Sequence, residues 1–237
     1  MKEYLLFRLY GPVASWGDIA VGEYRPSFAH PSKSAILGLV AAALGIRRDE
    51  EEPQRELASS YGFGIRVDAM GRLLRDYHTI QVPKGSGFMT RRDELSAPHI
   101  NTILSSRDYR TDALYTVCLW AAVDCPPHSL DDIKSAVEAP RFTLYLGRKS
   151  CPPALPLQPK CVKAPSIREA LAKCEFDDRV WLDGILKSTG ELQAYWEGED
   201  GGLEPTHSIV RRDAVISRKR WQFSERTELS GVIEGGR

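Results

Sequence analysis

One stretch of this sequence cannot be left against water on any side. Ala35-Ile36-Leu37-Gly38-Leu39-Val40-Ala41-Ala42-Ala43-Leu44-Gly45 is a run of good helix formers that is apolar nearly all round. Pro31-Ser32-Lys33-Ser34 supplies a serine cap at its head, and Gly45 supplies the exit. Such a helix has to be covered by other elements, and the spacing of Gly38 and the alanines permits close approach to a sheet. The preceding segment, Tyr4-Leu5-Leu6-Phe7-Arg8-Leu9-Tyr10, is rich in strand formers and stops at Gly11-Pro12, which reads as a buried strand.

Further along, Asp49-Glu50-Glu51-Glu52 opens a polar helix near 53–60, and 63–68 alternates as a strand with 72–78 as its hairpin partner. Residues 83–112 are rich in glycine, serine and charge, with Arg91, Arg92, Arg107 and Arg110 among them. A structureless loop of that length does not suit a compact domain, so a projecting hairpin is expected there. Leu114–Val123 is a central strand, Ser129–Val137 a capped amphipathic helix and Phe142–Leu146 the next strand. The first 150 residues thus give an α+β reading, an elaborated ferredoxin-like (RRM-like) βαββαβ core with the hairpin as an insertion. Residues 151–237 read as a β-rich extension packed on it, proline-rich at first. It has a short helix at 166–174 and strands near 179–186, 191–197 and 207–216.

The 237 residues are 42% hydrophobic and 27% charged, values that exclude disorder and fibrous classes. No apolar run is long enough to span a bilayer, and charge breaks the N-terminus too early for a signal peptide, so a cytoplasmic protein with no membrane partner is expected. Five cysteines without a Cys-x-x-Cys pair point to buried thiols rather than disulfides or zinc, and no metal or cofactor is expected. The 32 basic residues balance the 32 acidic ones, so any nucleic-acid site has to be a local patch.

Common cofactor and hydrolase signatures are absent. Of five histidines, His78 in Asp76-Tyr77-His78-Thr79 is the best candidate for acid–base work, though a hydrogen-bonded place at a strand end explains it more simply. Basic and aromatic clusters say more. Arg141–Ser150 sets cations at both ends of Tyr145, with Gly147 where a backbone can approach a ligand; single-stranded RNA is held in this manner. Ser32 and Lys33 at the helix head suit a phosphate. Four arginines on a projecting element, with Tyr109 beside Arg110, read as a finger for nucleic acid. Arg211-Arg212-Asp213 and Arg218-Lys219-Arg220-Trp221 are the densest basic region; they face RNA, a neighbouring subunit or only solvent.

Five motifs in order then resemble the Cas-five family of CRISPR proteins, in the version found in type I-E Cascade complexes. They are Gly11-Pro12-x-x-Ser15-Trp16-Gly17, Arg25-Pro26, Pro31-Ser32-Lys33-Ser34-x-Ile36-Leu37-Gly38-Leu39, Leu44–Asp49 and Tyr145–Pro152, with Asp76–Thr79 in register. The resemblance runs from residue 1 to about 165. It implies a hairpin thumb, binding of the 5′ handle of the CRISPR RNA, and contact with the backbone subunits and the large subunit of Cascade. Target DNA is met through the complex. Trp16, Lys33, Tyr145, Arg148 and Lys149 would line the handle groove, and Arg107 and Arg110 would belong to the thumb. Arg25, Ser32 and Arg91 complete the candidate RNA-binding set. Relatives that cut RNA use a tyrosine with an adjacent Lys-His pair, which this sequence lacks, so a non-catalytic subunit is expected. The alternative is a metal-independent endoribonuclease of the same fold acting on precursor CRISPR RNA.

Overall fold

A computed structural model describes residues 1–177, 182, 191–198 and 202–234. In chain order the elements are β1 (Lys2–Ala14), β2 (Tyr24–Arg25), α1 (Lys33–Leu44), α2 (Glu51–Ser60), β3 (Tyr61–Ala69), β4 (Arg72–Pro83), α3 (Arg91–Leu95) and β5 (Ile100–Ala121). There follow α4 (Leu130–Glu138), β6 (Lys160–Ala164), α5 (Ile167–Ala172), β7 (Glu191–Trp196), β8 (His207–Ser217) and β9 (Gln222–Glu234). Among the described residues the strands form one sheet in the order β6-β1-β5-β3-β7-β9-β8, with β2 and β4 joined to β5 off that path. The result is a mixed α/β protein built on a large, mainly antiparallel sheet with few helices.

The uninterrupted apolar content of β1 follows from burial on both faces. Leu5, Phe7 and Leu9 point into a core shared with α1, β3, β5 and α4, whereas Tyr4 and Leu6 point the other way, toward α5, Trp120 and Trp196. The α1 helix forms as its sequence dictates. Ser32 Oγ accepts from the Ala35 amide, and Gly45, at φ 83°, closes the exit by donating to the Ala41 and Ala42 carbonyls. Ile36, Leu37, Leu39 and Val40 are buried, each contributing roughly 1.5–3 kcal/mol of transfer free energy. The α4 helix begins with the expected capping box, Ser129 with Asp132.

Three readings of the sequence need correction. Residues 72–78 do not pair with 63–68. Gly71, at φ 65°, turns the chain off the end of β3, and β4 instead pairs along the first half of β5 from Arg72–Thr111 to Pro83–Ile100. The projecting hairpin therefore starts near residue 72, not 83, and carries α3 near its tip. β5 runs for 22 residues, long enough for its second half to lie between β1 and β3 while its first half leaves the sheet with β4. Residues 142–146 do not form a strand, because β6 takes the edge of β1. Their alternation records that Leu144 and Leu146 are buried while Phe142 is exposed.

Strands β6 to β9, all beyond residue 150, continue the same sheet as β1, β3 and β5. The expected strands at 191–197 and 207–216 are β7 and β8; β9 was not foreseen, and 179–186 lies outside the described residues except for Leu182. Among the described residues no helix is long and apolar enough to cross a membrane.

Buried charges fasten the C-terminal strands to the head of α1. Glu228 on β9, fully buried, lies 3.3 Å from His30 Nε2 and accepts from Arg226 Nη2 at 2.7 Å. Arg226 also grips Asp213 on β8 through two bonds of 2.9 Å, and Asp213 accepts the Lys33 backbone amide at 2.9 Å. The Lys33 ammonium donates to Glu197 at 2.6 Å. Burial opposes ionisation of Glu228, but the nearby His30 and Arg226 outweigh it and bring the carboxyl down to about 2 from an ordinary 4.5.

Because that folded-state value lies below the unfolded one, the stabilisation is complete above about pH 4.5 and drains away as pH falls toward about 2. Glu228→Gln should destabilise the protein by about 3 kcal/mol at neutral pH. Denaturant melts of both proteins should converge as the pH is lowered through this window.

Candidate nucleic-acid interface

Where the β4–β5 hairpin leaves the sheet, its root gathers cations around one buried acid. Cross-strand register sets Arg75 on β4 opposite Asp108 on β5, and the short parallel pairing of β2 with β5 sets Arg25 beside Arg107. Arg75 Nε and Nη2 donate to Asp108 at 2.8 and 3.2 Å, and the Tyr24 hydroxyl donates to the same carboxylate at 2.5 Å. The Arg75 bond holds the Asp108 carboxyl below the usual carboxylate range against the opposing effect of burial, with Arg110 adding its charge. Asp108 is thus fully committed to holding Tyr24 and Arg75 in place. Arg107 and Arg110 are partly exposed, and Arg110 Nε is buried with no hydrogen-bond partner among the described residues.

The loop at 145–149 joins this root to a cleft. Arg148 stacks its guanidinium over the Tyr109 ring at 4.7 Å and reaches the Arg25 carbonyl at 3.5 Å. Its Nη1 is buried without a hydrogen-bond partner among the described residues. Gly147 makes that position possible. It sits at φ 86°, and a Cβ there would fall 1.8 Å from the Ser15 carbonyl oxygen. Backbone bonds from the Ser15 amide to the Leu146 carbonyl, and from the Leu146 amide to the Cys151 carbonyl, fix the loop to the end of β1. Tyr145 and Arg148 then open onto a cleft of about 1630 Å³, bounded by α1, the 142–148 loop and the β8–β9 hairpin.

The sequence-derived candidates divide accordingly. Arg25, Arg107, Arg110, Arg148 and, at the neighbouring exposed position, Lys149 come together at the thumb root, with Tyr145 on the cleft side. Four others do other work. Trp16 is 2% exposed and packs edge-on against Tyr115 in the core, so its ring offers no face to a base. Ser32 lines the cleft, but its hydroxyl is engaged as the α1 cap and with Ser34. Lys33 is spent on Glu197, and the helix head that suited a phosphate already holds the Asp213 carboxylate. Arg91, in α3 near the hairpin tip, pairs with Glu94 and the Gln81 carbonyl, away from the root. Arg75, Tyr24 and Asp108 escaped sequence reading because only the register of the hairpin brings them together.

His78 Nε2 lies 2.8 Å from Asp76 on the same strand, with Tyr77 between them 61% exposed. Cys118, Cys151 and Cys174 are buried, Cys161 is half-buried and Cys125 is exposed, all as free thiols. Among the described residues no group of three potential metal-binding side chains converges.

The sequence model of the family described as CRISPR-associated protein (Cas_Cas5) matches residues 4–228. The chain belongs to this Cas5 family. It is 36% identical over 186 residues to the CRISPR system Cascade subunit CasD of Escherichia coli (strain K12), covering 74% of this chain and 78% of that one. A solved structure titled CRISPR RNA-guided surveillance complex contains a chain that superposes with a TM-score of 0.67 at 27% identity, over 98% of this chain and 90% of that chain. A second, titled Crystal structure of Cas protein, gives a TM-score of 0.61 at 26% identity, over 98% and 95%. The resemblance carried by the five sequence motifs is therefore borne out at the level of the family.

In this Cas5 chain the 145–149 loop depends on the absence of a side chain at 147. Gly147→Ala should cost several kcal/mol, from about 1–3 kcal/mol of backbone strain plus the clash with Ser15. Gly17, with open space around its Cα, should tolerate alanine with little change. Paired thermal melts check the contrast.

Proposed function

We propose that this chain is the non-catalytic subunit of a Cascade complex that grips the 5′ handle of the CRISPR RNA at the root of its thumb. On this reading it caps the backbone filament, touches the large subunit and meets target DNA through the assembled complex. The ferredoxin-like reading belongs with it, since β6-β1-β5-β3 follow the 4-1-3-2 order that a βαββαβ core would have, with the thumb inserted between its second and third strands. The names of the E. coli relative and of the surveillance-complex chain support the assembly role.

One observation carries the proposal. Arg25, Arg75, Arg107, Arg110 and Arg148 gather at the thumb root, where the buried carboxylate of Asp108 is taken up by Arg75 and Tyr24. A patch of guanidiniums with one internal acid suits a run of phosphates, whose released counterions supply most of the affinity. It also reconciles RNA binding with a formal net charge of zero, because the positive field is local. Partner subunits have an obvious surface to use, since the thumb leaves Leu73, Leu74, Tyr77, Val82, Met89 and Leu104 exposed.

The non-catalytic reading is supported by the absence of a Lys-His pair. In a reconstituted complex, Arg107→Ala with Arg110→Ala should weaken CRISPR RNA retention by at least tenfold. The salt dependence should flatten by about 0.7 per lost contact. Unchanged retention would count against the proposal. Incubating the purified chain with repeat RNA in chelator should leave the RNA intact; handle-length product would favour the endoribonuclease instead.

A further inference from the structure

The turn between β8 and β9 carries Arg218-Lys219-Arg220-Trp221 and forms part of the cleft wall. Trp221 is an unusual residue to find there. Its backbone lies in the left-handed region at φ 53°, which costs a bulky side chain of the order of 1–2 kcal/mol, yet 56% of the residue is exposed. Burial of the indole therefore does not offset that cost. The Arg48 guanidinium lies 4.6 Å over its ring, and Phe223 stands 6.2 Å away at a tilt of 40°.

Arg218 comes from the same turn and reaches back over α1. Its Nη2 donates to the Ser34 carbonyl, and its guanidinium is 5.7 Å from the Phe223 ring. Gly38 makes room for it, since a Cβ at that position would stand 3.2 Å from Nη2. Arg218 Nε is buried with no hydrogen-bond partner, and among the described residues neither Arg218 nor Arg48 has a carboxylate within ion-pair distance. Burial and the neighbouring charge of Arg48 both weaken Arg218's hold on its proton. Two other cations of the cleft are paired, Arg212 with Glu225 at 3.1 Å and Arg211 with Glu228 at 3.8 Å. Among the described residues Arg47, Arg48, Arg148 and Arg218 line the cleft without an ion pair; of these Arg48 and Arg218 stand beside the Trp221 and Phe223 rings, with Arg48 against one face of an indole whose residue is 56% exposed.

We propose that Arg48, Arg218 and Trp221 form a seat for one unpaired nucleotide, the guanidiniums on its phosphate and the indole under its base. The proposal rests on the nucleic-acid reading of the thumb root, whose Arg148 lines the same cleft. Paired guanidiniums match an oxyanion, and an aromatic plane beside them matches a base; an acidic peptide would use the first and leave the second idle. The nucleotide can come from the guide RNA or from an unpaired strand of target DNA.

The test uses the reconstituted complex, with 4-thiouridine in the guide RNA or 4-thiothymidine in the target DNA, and photocrosslinking read by mass spectrometry. An RNA adduct on the wild-type peptide containing Trp221 assigns the seat to the guide. An adduct that forms only with labelled DNA assigns it to the target strand. Trp221→Ala should weaken retention of the assigned strand about tenfold, while Trp221→Phe stays within about threefold of wild type. Arg48→Gln should flatten the salt dependence by about 0.7. Absence of a nucleic-acid adduct together with unchanged retention in Trp221→Ala overturns the seat, as does crosslinking of Trp221 to protein alone. Running Arg107→Ala with Arg110→Ala in parallel separates the two failures. If that double variant loses RNA while Trp221→Ala retains both guide RNA and target DNA, the seat falls and the thumb-root reading stands; if Trp221→Ala retains both strands and the double variant retains RNA, both fall.

Discussion

A single buried carboxylate holds the two halves of this molecule in register. Glu228 has no contact with solvent, and its charge is sustained only because His30, Arg226 and, more distantly, Arg211 surround it. Removing one member of such a group leaves an uncompensated charge in a medium that solvates it poorly, so the arrangement is all or nothing. Through Arg226 and Asp213 it reaches the first amide of α1, and through Lys33 it reaches Glu197 just after β7. The head of the apolar helix and the last three strands are thereby locked together. The cleft wall that carries Arg218 and Trp221 takes its place from that lock.

The same lock explains why a site attractive on paper is not one in the folded protein. A helix head with a lysine and two serines suits a phosphate, and here Asp213 supplies the anion from within the chain. Anion-binding capacity is thereby used up at one point and left open at others. Among the described residues, Arg25, Arg107, Arg110 and Arg148 at the thumb root, and Arg48 and Arg218 in the cleft, have no ion-pair partner of the kind Lys33 has found in Glu197. Whether a cation is available to a ligand depends on which acid folding brings beside it.

Local pattern made much of the sheet legible. The strand at β1, the capped helices α1 and α4, and the strands β7 and β8 follow from strings of residues that satisfy one backbone state by themselves. The thumb was legible as a segment with too few apolar residues to pack. Its boundaries were not, because 72–78 reads as a strand that could have paired back on 63–68, and only the turn at Gly71 sends it onto β5. At 142–146 the period-two burial of Leu144 and Leu146 imitated a strand, in a loop pinned by backbone bonds to Ser15 and Cys151. Periodicity reports which side chains are buried and not which backbone groups are paired.

By itself the sequence determined the class of the molecule: an apolar helix that needs a sheet, a polar arm that cannot join the core, and motifs that place the chain in its family. It also singled out Arg107, Arg110, Arg148 and Lys149, which folding brings together at the hairpin root, with Tyr145 on the cleft side. Tertiary structure alone decided that Trp16 is core, that Lys33 is neutralised, and that Arg75, Tyr24 and Asp108 form the root of the thumb. The physical reason is range. Propensity and capping act over a few residues, whereas the pairing of Lys33 with Glu197 or of Arg218 with the Ser34 carbonyl joins groups more than 160 residues apart, where no local pattern can record the contact.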